Sequence, residues 1–176
     1  MITPAYVRTM AEYNAEMNRR LYGAALRLSD AERREPHGVF WGTIHGTLTH
    51  ILWGDQQWMS RFDDWPKPTT PIKQSAGMIE DFAVLSAERE KADADISRWA
   101  SKVDDAWLAE DLTWFSGAAN REVTAPLGLL VTHFFNHQTH HRGQVHAMLT
   151  AVGQDTGDTD LFLLVQEIVG RKKPSL

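Results

Sequence analysis

The sequence predicts an all-α protein whose long helices form a four-helix bundle. Four segments of the 176-residue chain carry apolar residues at three- and four-residue spacing, and a proline-rich segment separates the second from the third. The composition, 43% hydrophobic and 23% charged, is that of an ordinary globular protein. A chain of this length can bury a core without disulfides, so we expect one domain over residues 1–176.

The first two predicted helices cover about residues 4–28 and 43–62. Pro4 suits the first turn of a helix, because a proline has no N–H group to leave unpaired there. The second helix has apolar residues over much of its surface, which indicates a central position. It is followed by DDWPKPTTPIK, residues 63–73, whose three prolines exclude a helix and predict a connection that crosses to the next one.

The third and fourth predicted helices cover about residues 76–100 and 125–152. The third has a regular apolar stripe, and the fourth is followed by Gly153, a residue suited to ending a helix. Both are long enough to cover the same core as the first two helices, which completes the predicted bundle.

Two shorter elements belong to the predicted fold. Between the third and fourth helices, Leu112, Trp114 and Val123 alternate with polar residues around an SGAAN turn, a pattern typical of a β-hairpin. After the fourth helix, the apolar segment DTDLFLLVQEIVG, residues 158–170, predicts a short C-terminal helix that packs on the bundle.

Composition and charge restrict the possible functions. The chain has no cysteine, so disulfides, thiolate metal ligands and a cysteine nucleophile are excluded. Its net charge of −5 argues against direct binding to nucleic acid, which requires clustered lysine and arginine. No segment approaches the roughly 18 apolar residues of a membrane span, and no signal peptide is recognisable. We therefore expect a cytoplasmic protein without membrane contact.

Five of the eight histidines lie in HFFNHQTHHRGQVH, near the end of the chain. Placed about 100° apart around a helix, His137 and His141 fall on the apolar arc one turn apart, whereas His133 and His140 flank it and His146 lies outside. A single histidine in a core stripe is commonly a hydrogen-bonded structural residue. A pair on that stripe is also suited to share one metal ion, which would satisfy both imidazoles together.

A third ligand would have to come from the second helix, where His45 and His50 are the candidates. Gly46 and Gly54 lie one turn before and after His50 and would leave space around its imidazole. His45 has no such space and is expected at the periphery, and His37, in a loop, is expected to face solvent. Three neutral imidazoles leave a fourth position for water or substrate, as in catalytic zinc sites, but they do not by themselves distinguish zinc, nickel, iron and copper.

Three segments make the sequence similar to a known family. THILWGDQQWMSRF around His50, HQTHHRGQVHAMLTAVGQD around His137 and His141, and YNAEMNRRLY near the start resemble the DinB/YfiT-like family, the damage-inducible DinB group. The resemblance implies an up-down-down-up four-helix bundle, a homodimer and one divalent ion, zinc or nickel. It also implies that His50, His137 and His141 bind this ion.

The resemblance further implies a function, since the family includes metal-dependent transferases that use low-molecular-weight thiols. We expect a metal-dependent S-transferase that activates such a thiol for attack on a small-molecule substrate, with no catalytic residue assigned. Gln144, His133 and Arg142 are candidates for supporting the metal ligands or lining the pocket.

Two alternatives to the transferase are retained. One is a non-catalytic metal-binding stress-response protein, in which the ion joins the second helix to the fourth. The other is a metal-hydroxide hydrolase. The sequence also contains a dense group of tryptophans, suited to a substrate pocket or to a dimer face: Trp41, Trp53, Trp58 and Trp65.

Overall fold

A computed structural model describes residues 1–117 and 119–164, and this part of the chain is mostly helical. It contains four long helices, several short helical segments, a 3-10 helix and a small antiparallel sheet of two strands. None of the helices in the described ranges combines the length and the hydropathy needed to span a membrane. The elements are α1 Pro4–Leu26, α2 Asp30–Arg33, α3 Ile44–Phe62, the 3-10 helix Ile72–Gly77, α4 Phe82–Lys102, α5 Asp105–Ala109, β1 Asp111–Ser116, β2 Arg121–Pro126 and α6 Leu127–Ala151.

Side-chain caps explain where the first two long helices begin. The Oγ1 atom of Thr3 accepts a hydrogen bond from the backbone N–H of Tyr6 at 3.2 Å. In the same way, Thr43 Oγ1 accepts from the N–H of Gly46 at 2.9 Å. Each threonine satisfies a backbone donor that has no partner within the helix. As a result, α1 and α3 begin within one residue of their predicted starts.

The start of α4 differs from the prediction of about residue 76. Asp81 accepts hydrogen bonds from the backbone N–H groups of Ala83 and Val84, at 2.8 and 2.9 Å, and the helix starts at the residue after this cap. Residues 72–77 form the 3-10 helix instead. The predicted start is wrong because apolar residues of the preceding segment, such as Ile79, pack on the core without being helical.

The predicted β-hairpin is confirmed. Strands β1 and β2 pair antiparallel, with Trp114 opposite Val123, and β2 leads directly into α6 at Leu127. Of the predicted C-terminal helix, residues 158–160 are not helical, residues 161–164 are helical, and residues 165–170 lie outside the described residues.

The long helices pack so that α3 is deeply enclosed. Helix α1 lies against α4 and α6, and α3 lies against α6 and α4. Residues 44–52 of α3 are all buried, which agrees with the predicted central position.

Two histidines near α3 lie outside the group formed by His50, His137 and His141, and both are less exposed than expected. His45 is 1% exposed, and its Nε2 lies 2.7 Å from the carbonyl oxygen of Ile79. It is buried because the connection before α4 covers this face of α3. His37 is half-buried, since its backbone N–H donates to the carbonyl of Gly42 and closes the loop before α3.

Candidate metal centre

Three histidines converge between α3 and α6. One ring nitrogen from each of His50, His137 and His141 lies within 4.8 Å of the other two. The Nε2 atoms of His50 and His137 are 3.3 Å apart. Two nitrogens bound at about 2.0–2.1 Å to one tetrahedral zinc ion are also about 3.3–3.4 Å apart. The spacing therefore fits a shared metal ion.

The surroundings keep these imidazoles neutral. His50 and His141 are 2% and 7% exposed, and His137 is half-buried. Burial, with a smaller contribution from the neighbouring histidines, lowers the pKa of His50 to about 3 and that of His137 to about 4. Burial also lowers the pKa of His141. Because only a neutral imidazole binds a metal ion, the site favours the protonation state that binds.

Two hydrogen bonds orient the rings. The Nδ1 of His141 lies 2.8 Å from the side-chain carbonyl oxygen Oε1 of Gln144. A carbonyl oxygen only accepts, so Nδ1 of His141 carries the proton and its Nε2 is left with a free lone pair. The Nδ1 of His50 lies 2.8 Å from the hydroxyl oxygen of Ser75, which can accept in the same way. Both rings then present Nε2 as the ligand atom.

The sequence indicates one of these two supporting residues, Gln144, but not the other, Ser75. Gln144 is one helical turn after His141, so helical spacing already makes it a candidate. Ser75 lies in the 3-10 helix after the proline-rich connection, and sequence reasoning missed it. No local pattern relates Ser75 to His50, because the two side chains meet only when the connection folds back onto α3.

The two glycines flanking His50 have a different role from the predicted one. A Cβ atom on Gly54 would lie 2.8 Å from Cε1 of His137, so this glycine makes space for the ring from α6. A Cβ on Gly46 would lie 2.8 Å from the backbone oxygen of Trp41, so this one makes space for the loop before α3. That loop stacks the Trp41 ring on His50, with 3.9 Å between ring centroids. The expectation that both glycines clear space for His50 is therefore wrong.

The other histidines of α6 lie outside the three-histidine cluster. His133 lines the adjacent cavity, with its ring centroid 6.1 Å from that of His137 and 5.1 Å from that of Trp58. His140 also lines the cavity, beside Gln144. His146 lies apart and is hydrogen-bonded to Thr156.

Arg142 points towards α1. It is 4% exposed, its Nη1 donates to Oδ1 of Asn14, and its guanidinium lies 5.6 Å from the ring centroid of Tyr13. It is not among the residues that line the cavity beside the histidines. Its contacts therefore join α6 to α1.

A cavity of about 1130 Å³ opens beside the three histidines. Three of the four clustered tryptophans line it, and the fourth, Trp65, packs on the hydrophobic core. Strand β1 adds two more aromatic rings. The aromatic wall is formed by Trp41, Trp53, Trp58, Trp114 and Phe115. These rings make an apolar chamber in direct contact with the candidate metal ligands.

Behind the histidines lies a buried polar group that sequence reasoning missed. Asp55, on α3, is 0% exposed and accepts hydrogen bonds from Arg89 of α4 at 2.5 Å and from Gln138 of α6 at 2.6 Å. A second carboxylate, Asp93, lies 2.9 Å from Arg89. The one signal in the sequence is an aspartate within the apolar second helix, since a buried charge requires partners.

Comparison with known protein families gives a match over almost the whole chain. A model described as the DinB family matches residues 1–168, which include both histidine-bearing helices and the hairpin between α5 and α6. None of the curated proteins compared with the chain matches it.

Proposed function

The chain belongs to the DinB family, and from this premise we propose that it is a metal-dependent transferase that activates a low-molecular-weight thiol. His50, His137 and His141 would hold one divalent ion, zinc or nickel. The observation that supports an enzyme is the cavity, because the three-histidine cluster borders an open chamber. Structural metal sites are closed by four protein ligands, whereas catalytic sites keep one position for a reactant.

The proposed reaction joins the sulfur of the thiol to an electrophilic carbon of the substrate. A divalent ion held by three imidazoles lowers the pKa of a bound thiol, so that thiolate is available near neutral pH. The new S–C bond uses an electron pair of sulfur, the leaving group departs with the electrons of the bond that breaks, and the thiol proton goes to solvent. Ser75 and Gln144 keep two of the rings oriented, and the aromatic wall shields the substrate from water.

The thiol has to come from a small molecule, because the chain contains no cysteine. Its sulfur is a softer ligand than the three imidazoles that the described residues place at this point.

A non-catalytic role is the second candidate, and one observation favours it. His50 comes from α3 and the other two histidines from α6, so an ion bound by all three would also join the two helices. A metal-binding stress-response protein needs only this stabilisation. This non-catalytic hypothesis predicts a large loss of thermal stability on chelation and no turnover with any electrophile.

Two further proposals follow from family membership. We propose that the four long helices run up-down-down-up and that two copies of the chain form a homodimer. Light scattering at micromolar concentration would measure the mass in solution. A mass of one chain, 19.9 kDa, would contradict the dimer.

Metal content and turnover test the main proposal together. Untagged protein is compared with His50→Ala, His137→Ala and the control His146→Ala, whose side chain lies outside the cluster. We expect one divalent ion per chain in wild type and control, and much less in the first two variants. Undiminished metal in both of those variants would refute the site. Turnover of a haloaromatic or an epoxide with a small thiol should stop after chelation, and equal turnover would refute the transferase.

A further inference from the structure

The cavity beside the histidines contains an arginine, Arg61, for which the described residues supply no acidic partner. Arg61 of α3 is half-buried, and its Nη1 donates to the backbone oxygen of Gln57 at 2.8 Å. Its guanidinium carbon lies 4.9 Å from the ring centroid of Trp58 and 6.0 Å from that of Trp114. Among residues 1–117 and 119–164, no carboxylate forms an ion pair with it.

The surroundings of Arg61 take part of its guanidinium out of water, and the described residues place no carboxylate beside it. Burial lowers the pKa of Arg61, and no neighbouring negative charge opposes that effect. Partial removal of a guanidinium from water is normally offset by a carboxylate or another anion. Stacking on two indole rings contributes in the same direction. The remaining N–H donors of Arg61 are therefore suited to an anion that comes from outside the chain.

The charge of the cavity wall also favours the binding of an anion. Lys67 and Lys73, from the proline-rich connection, line the same cavity as Arg61. No aspartate or glutamate is present among its described lining residues, although the whole chain carries a net charge of −5. A cavity lined by one sign of charge, with apolar walls, raises the local concentration of ions of the opposite sign.

Helical geometry gives the distance from the cation to the metal ligands. Arg61 follows His50 by 11 residues, which corresponds to about 16 Å along the helix axis and about 20° around it. Both side chains thus face the same cavity, about three turns apart. The hydrogen bond to Gln57 directs the guanidinium back by one turn, towards the histidines. A ligand that reaches both ends has to be elongated, with an apolar body along the aromatic wall.

We propose that this cavity binds an organic anion with a flat apolar body, and that Arg61 recognises its carboxylate or sulfonate group while Trp58 and Trp114 contact the body. This inference rests on the proposed function for the reaction, and it names the class of electrophile that the transferase would take. The binding step itself needs neither metal nor thiol.

Calorimetric titration with two matched probes tests the proposal: naphthalene-2-carboxylate and the neutral naphthalene-2-carboxamide. The full chain is titrated both metal-loaded and after chelation, because in the loaded form a carboxylate is also able to bind the ion. We expect the carboxylate to bind at least about tenfold more tightly in both forms, as hydrogen bonds to a charged group provide. Equal affinity for the two probes in the chelated protein would overturn the proposal.

Variants test whether the preference for the carboxylate probe comes from Arg61. In Arg61→Gln the ratio of the two affinities should fall close to one, with the carboxamide bound as in wild type. Arg61→Lys keeps the charge without the planar fork and should retain part of the ratio. Lys102→Gln removes an exposed cation at the end of α4 and should change nothing. A ratio that survives in Arg61→Gln would overturn the assignment, and circular dichroism of each variant checks its fold.

Binding and catalysis can fail separately in these experiments. Selective carboxylate binding by the chelated protein would stand even if no thiol reaction were found. If turnover is lost on chelation but the protein shows no preference for the carboxylate probe, the proposed transferase activity stands. Organic anions are then not its substrate class.

Discussion

The Oδ1 atom of Asp55 lies 2.6 Å from Nε2 of Gln138, and both side chains are completely buried. Asp55 follows Gly54, and Gln138 follows His137, so this bond lies one residue from the point where the ring of His137 enters the space left by the glycine. The other carboxylate oxygen of Asp55 accepts from Arg89 at 2.5 Å. One carboxylate thus joins α3, α4 and α6 and sets the register of the helices that carry the candidate metal ligands.

Removal of the Asp55 charge should destabilise the protein strongly. In Asp55→Asn, Arg89 keeps Asp93 alone among its described ionic partners, and loss of one member of a buried ion pair costs about 3–5 kcal/mol. Urea denaturation of the metal-free protein measures the change. The control is Asp95→Asn, whose partners Lys91 and Arg98 are largely exposed, and it should cost at most about 1 kcal/mol. Equal losses in the two variants would contradict this role.

Addition of one methyl group at Gly54 should displace His137. The Cβ in Gly54→Ala would lie 2.8 Å from Cε1 of that ring, so the ring or α6 has to move. We expect a loss of about 1–3 kcal/mol in stability and of at least about tenfold in metal affinity. Gly23→Ala, in α1, meets no atom within 4 Å and should be neutral or stabilising by about 0.5–1 kcal/mol. Thermal unfolding and metal titration measure both, and unchanged metal affinity in Gly54→Ala would refute the close contact.

Loss of the Gln144 acceptor should weaken metal binding without unfolding the protein. In Gln144→Leu, Nδ1 of His141 loses its partner, and the ring is then free to change tautomer and orientation. We expect metal affinity to fall by about 10- to 100-fold, as for other residues that support metal-bound histidines. Gln144→Glu keeps an acceptor at this position and should bind metal at least as tightly as wild type. If Leu and Glu behave alike, the hydrogen bond has no part in metal binding.

Acid should destabilise the metal-free protein from near neutral pH downwards. In the unfolded chain a histidine has its ordinary pKa near 6.5, whereas the folded protein holds the pKa of His50 at about 3 and that of His137 at about 4. Between these values the unfolded chain binds protons that the folded chain does not, so the free energy of unfolding falls as the pH falls from about 6.5 towards 4. Urea midpoints measured from pH 8 to 5 should show this decline.

The decline should be smaller when the buried histidines are removed. The double variant His50→Ala, His137→Ala should have a shallower dependence on pH, and His146→Ala should keep the slope of wild type, since it lies outside the cluster. A midpoint that does not change between pH 7 and 5 in the wild type would contradict the lowered pKa values.

Local patterns predicted most of the secondary structure. Helical spacing, proline positions and alternation located the four long helices and the hairpin, because each of these signals is contained within a few neighbouring residues. The late start of α4 shows the limit of this reasoning. Apolar residues around Ile79 continue the spacing of a helix, yet they pack on the core from a segment outside α4, and the cap at Asp81 marks the true start.

The sequence by itself determined that His137 and His141 share one face of a helix, because residues four apart in a helix are always neighbours. Its resemblance to a family pointed to His50 as their partner. Only the tertiary structure decided which groups support and surround them: Ser75 behind His50, Gly54 against His137, and Arg61 in the aromatic cavity. The physical reason is that helical periodicity gives directions within one helix. Distances between helices depend on how closely their backbones pack, and that is set by the whole core.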